Sequence, residues 1–101
     1  MEERKYAKCS DEFLIVESQN TVNEIRAFMG HSFVSERKIG QLNSRVDELV
    51  FELNLRSKKW LLEGDSAEIK EMVSILSKTV ENLKSSLTSL KQKTIQTEPG
   101  A

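Results

Sequence analysis

The 101-residue chain has one cysteine, one histidine and one proline, with four glycines and only 6% aromatic residues. Each scarcity excludes something. A single cysteine, Cys9, rules out an internal disulfide. Cys9 and His31 together fall short of the three or four ligands that a zinc site draws from protein side chains. As a nucleophile pair they lack a third, orienting group and a glycine-rich turn. They therefore read as a terminal thiol and a surface imidazole beside a helix break. No P-loop, dinucleotide-binding glycine pattern or HExxH is present. Few aromatics beside 31% charged residues imply a thin core, poorly suited to walling a pocket. We expect no enzyme: no catalytic, cofactor-binding or metal-binding residue is assigned.

Charge of one sign is also missing. Fifteen basic residues face 16 acidic ones, for a net charge of -1. Such a balance sets up no long-range field for nucleic acid or acidic lipid. No stretch approaches the roughly 18 apolar residues of a membrane span, so membrane insertion is not expected. Residues 1–13 carry no apolar run of signal-peptide length. Together with the single cysteine this favours a reducing compartment, the cytoplasm first and the nucleus as the alternative.

What is present is helical. Pro99 is the only proline, so the chain before it is free of the strongest helix breaker. Period-2 alternation is hard to find, which argues against strands. Residues 1–9 read as a flexible polar arm. Ser10 or Asp11 is suited to cap a first helix. Thr21, with Glu24 three residues on, is either a capping box that restarts the helix or an interior threonine. Gly30 and Gly40 each cost a helix about 1 kcal/mol against alanine and predict a soft joint over 30–40. Gly64 is a plausible residue just past a helix end. Asp65 with Glu68 resembles a capping box for a new helix. A turn is expected at 63–66, a second long helix over 66–95 and a disordered tail over 96–101.

Two apolar seams follow. In the first, Ile39, Val46, Leu53 and Trp60 take heptad a positions, while Leu42 and Leu49 take d. Arg56 occupies the next d position; its stem is expected to lie along the seam with the head in water. In the second, Val73, Val80 and Leu87 take a, while Ile69, Leu76, Leu83 and Leu90 take d. A third stretch, Val22, Ile25, Met29 and Ser32, meets the first through a three-residue offset. The fold expected is all-α: an elongated coiled coil of two long helices with a preceding helical segment, residues 10–62 and 66–95.

A two-helix hairpin leaves much of such seams wet, and each aliphatic side chain they carry gains about 1.5–3 kcal/mol on burial. The missing cover points to helices of other chains, with all thirteen seam residues named above as partner-binding. The flanks of the second seam are basic at Lys70, Lys84 and Lys91 and carry no acid at Met72, Thr79, Ser86 and Lys93. That favours a hetero-oligomer with an acid-flanked partner over self-pairing. Two other readings compete. A monomeric antiparallel bundle needs no partner. A nucleic-acid or acidic-surface binder would use Arg56, Lys58 and Lys59 with Trp60 for stacking, although its basic footprint is narrow.

The run Lys38, Ile39, Leu42, Asn43, Arg45, Val46 and Leu49, with Glu12, Phe13 and a Phe-rich middle, resembles the Brick family, the smallest subunit of the WAVE actin-regulatory complex. The resemblance covers about the first half of the chain, and the second long helix is an addition to that family's pattern. The architecture of helix, short polar turn and heptad helix is also similar to snapin and other small subunits of organelle-positioning and biogenesis complexes. Both resemblances imply a small helical structural or adaptor subunit of a larger assembly, in cytoskeletal regulation or in organelle positioning.

Overall fold

The computed structural model describes residues 5–96, with side chains through residue 93. The described part is all-helical, with three helices and no strand: α1 at Asp11–Met29, α2 at Glu36–Glu63 and α3 at Ala67–Gln96. Residues 97–101 of the expected tail and residues 1–4 of the expected arm lie outside the described residues.

Local chemistry sets each boundary. Ser10 caps α1: the Phe13 amide donates to its hydroxyl at 3.0 Å. Thr21 is interior, its hydroxyl donating to the Glu17 carbonyl at 2.9 Å, so α1 continues past it. The helix ends at Gly30. Ser35 then caps α2 by accepting from the Lys38 amide at 3.1 Å. The joint expected over 30–40 is therefore confined to residues 30–35, and Gly40 lies inside α2. Gly64 ends α2 at φ 146°, ψ -161°, a region that is essentially glycine's alone. The cap of α3 is Ser66 rather than Asp65: the Ser66 hydroxyl accepts from the Ile69 amide at 3.3 Å. Shifting the cap by one residue places Ile69, not Glu68, at the third helical position, so no reciprocal capping box forms.

The helices run up, down and up, and each packs on the other two. Antiparallel pairing of α1 with α2 follows from Glu24 meeting Lys38 and Arg45 near one end and Asp11 meeting Arg56 and Trp60 near the other. Lys91 reaches Asn43 across the α2–α3 hairpin. The described molecule measures 54 × 33 × 20 Å. Leu14, Val22 and Ile25 of α1, Leu42, Val46, Leu49 and Leu53 of α2, and Leu76, Val80, Leu83, Leu87 and Leu90 of α3 form one buried core.

Two sequence expectations change. The α2–α3 hairpin does not leave its seams wet, because α1 of the same chain lies along them. Arg56 does not extend its head into water. Its guanidinium is held by Asp11 at 2.6 Å and donates to the carbonyls of Tyr6 (3.3 Å), Ala7 (3.2 Å) and Cys9 (2.6 Å). Residues 5–9 are thereby folded back as turns, with Tyr6 buried. A rigid guanidinium fork can satisfy several acceptors at once, which explains why an arginine sits at this heptad position.

Candidate interaction surface

Nine of the thirteen seam residues, Leu42, Val46, Leu49, Leu53, Leu76, Val80, Leu83, Leu87 and Leu90, are buried inside this chain's own bundle. The other four are half-buried. Ile39 and Trp60 lie towards the two ends of α2; Ile69 and Val73 lie at the start of α3. The structure thus brings both seams together around α1.

α1 spans 19 residues, α2 28 and α3 30. At 1.5 Å per residue, α1 reaches about 28 Å along a hairpin of about 45 Å. Its C-terminal end is fixed near residue 93, because the Lys93 ammonium donates to the Met29 carbonyl and, at 2.7 Å, to that of His31. Carbonyls at a helix end have no partner within the helix, and a cation there also suits the helix dipole. Its N-terminal end stops at Trp60, whose indole N–H donates to Asp11 Oδ2 at 2.8 Å. Beyond Trp60 the hairpin extends past α1, and there Leu61 and Leu62 are exposed, Leu62 at 88%.

A second uncovered surface lies between α2 and α3, on the side opposite α1. It is a groove of about 530 Å³ floored by Val46, Val50, Phe51 and Leu87 and edged by Asn43, Asp47, Asn54, Lys84, Thr88 and Lys91. Phe51 is 54% exposed. Asn43 bridges one end, accepting from Lys91 at 2.6 Å and donating to Asp47 at 3.2 Å. Val50, Phe51, Leu61 and Leu62 fall outside the a and d letters, so seam reasoning passed over them. The available signal was apolar residues at the outward letters e, f, b and c.

The electrostatics of the rest are structural. The Arg45 hydrogen bond, followed by that of Lys38, holds the Glu24 carboxyl below its ordinary range, although burial opposes the shift. Burial raises the Tyr6 phenol. In the 56–60 basic cluster, Arg56 and the indole N–H of Trp60 are both engaged by Asp11, leaving Lys58 and Lys59 as exposed cations. Cys9 is half-buried and His31 stacks edge-on against Phe28 at 5.1 Å. Among the described residues, no three or more His, Cys, Asp or Glu side chains come together as a metal site, and no helix is long and apolar enough to cross a membrane.

No family model matches this chain. Nor does any curated protein or solved structure. The geometry of the surface therefore carries the functional argument.

Proposed function

We propose that the chain is a non-enzymatic helical subunit, structural or adaptor in role, of an intracellular hetero-oligomeric assembly. It extends coiled-coil-type packing from the α2–α3 hairpin to helices of other proteins. One observation carries this reading. The bundle completes its own core and still leaves Phe51, Leu61, Leu62 and Ile75 exposed on that hairpin. Large apolar side chains left side by side in solvent, as Leu61 and Leu62 are, mark surfaces that other proteins cover. The seams named in the sequence now serve mainly to fold the hairpin that presents them. The Brick-like run on α2 suggests actin regulation as the setting; the hairpin form suggests organelle positioning. Both settings use a small helical subunit.

The test is the native size of the chain. Expressed at low level with an epitope tag, it is expected to sediment from a gentle extract well above the monomer. Leu61→Lys with Leu62→Lys should shift it towards the monomer while helicity stays unchanged. A wild-type chain that sediments as a lone monomer in the same extract would overturn the reading.

A further inference from the structure

Resting on that reading, we infer that the groove between α2 and α3 receives an amphipathic helix of a partner protein, one carrying acidic residues along the flank that meets α3, so that a fourth helix completes the bundle. The floor supplies the apolar contact. Phe51 stands half out of it, a rigid aromatic of the kind that anchors interfaces. From Asn43 to Asn54 the α2 wall runs roughly 17 Å, three helical turns. That length matches apolar anchors spaced i, i+3 or i+4, and i+7 on a docked helix.

Charge selects the occupant. The groove is edged by two cations, Lys84 and Lys91, against one acid, Asp47. Asp47 already accepts from Asn43, which in turn holds Lys91. Lys84 has no partner among the described residues and sits at the opposite end of the α3 wall from the Asn43 bridge. A second copy of this chain would bring the same surplus of lysine to the contact. An acid-bearing flank neutralises it. Such complementarity acts on specificity and encounter rate more than on raw affinity.

The experiment uses the whole chain and two synthetic amphipathic peptides of about three heptads with identical leucine anchors, one flanked by Glu and the other by Lys. By titration calorimetry at low salt, the Glu-flanked peptide is expected to bind at least about tenfold tighter, with the gap narrowing as salt rises. Phe51→Asp should weaken it by about tenfold or more. Because Phe51 is exposed, circular dichroism should show that variant folded. Lys84→Glu with Lys91→Glu, a change confined to the exposed rim, should reverse the preference between the peptides. Equal binding of both peptides, no binding, or indifference to both variants would overturn the inference. So would self-association of the wild type that Phe51→Asp abolishes, which would give the groove to a second copy. The two proposals fail separately. If the tagged Phe51→Asp chain still enters the large native assembly, the groove inference falls and the subunit reading stands. If the wild-type chain enters none, the subunit reading falls.

Discussion

Single side chains in this bundle show where the sequence speaks plainly and where it does not. Ser18 occupies a core position of α1, fully buried, and its hydroxyl has no hydrogen-bond partner among the described residues. A buried hydroxyl without a partner costs stability, and serine is also a poorer helix former than alanine. Ser18→Ala is expected to stabilise the fold by about 1 kcal/mol, seen as a higher melting temperature. Arg56 presents the opposite case. Removing it takes the guanidinium from Asp11 and from beside the buried Glu52 and frees three carbonyls of residues 6–9. Arg56→Met should cost about 2–4 kcal/mol and speed tryptic cleavage after Lys8, while Arg56→Lys, which keeps the charge but not the fork, should fall between. The heptad letters flagged Arg56 as out of place. They gave no sign that its hydrogen-bond acceptors Asp11, Tyr6, Ala7 and Cys9 lie 45 to 50 residues away, because periodicity reports which face is apolar and nothing about what crosses to it.

Between elements, glycine chemistry and the two ion pairs of Glu24 set the expected responses. Gly40 lies within α2, and a Cβ there meets nothing within 4 Å. Gly64 has φ 146°, and a Cβ there would come 3.4 Å from Ile69 Cδ1 as well as being strained by the backbone. Gly40→Ala should therefore stabilise by about 0.5–1 kcal/mol and Gly64→Ala should destabilise by about 1 kcal/mol or more, with chemical denaturation giving opposite shifts in midpoint. Glu24 ties α1 to α2 through Arg45 and Lys38. Its folded-state carboxyl titrates below the ordinary 4.5. Protons therefore favour the unfolded chain, so the contribution is present above that ordinary value and disappears as pH falls through the folded one. Glu24→Gln should flatten the acid limb of the pH–stability curve and cost no more than about 1 kcal/mol at neutral pH, since both pairs are partly exposed. At this scale the sequence was informative. Ser10, Gly30 and Gly64 mark three of the helix boundaries because capping is local chemistry. Gly40 misled because a lone glycine is tolerated wherever the surrounding seam, here Ile39 to Leu42, continues through it.

For the whole molecule, the element that sequence reasoning underweighted is α1. Its seam includes Ser18 and Thr21, which dilute the apolar pattern, so it read as a preceding segment rather than as the cover of the other two helices. The consequence is that folding and assembly use different residues. Leu76 and Leu83 are fully buried against the chain's own helices. Placing aspartate at both would melt the monomer, and the loss of helicity would say nothing about partners. A cleaner separation compares one core and one surface position. Leu83→Ala should cost about 2–5 kcal/mol through lost burial and the cavity left behind. Leu62→Gln, at a position 88% exposed, should leave the melting temperature within experimental error. In the native extract, the surface variant is the one expected to lose assembly per folded molecule. The purified wild type should keep the same melting temperature over roughly a hundredfold dilution, since α1 covers the core from within the chain. A melting temperature that falls steadily on dilution would show that other chains, not α1, supply the cover, and would return the core leucines to the interface.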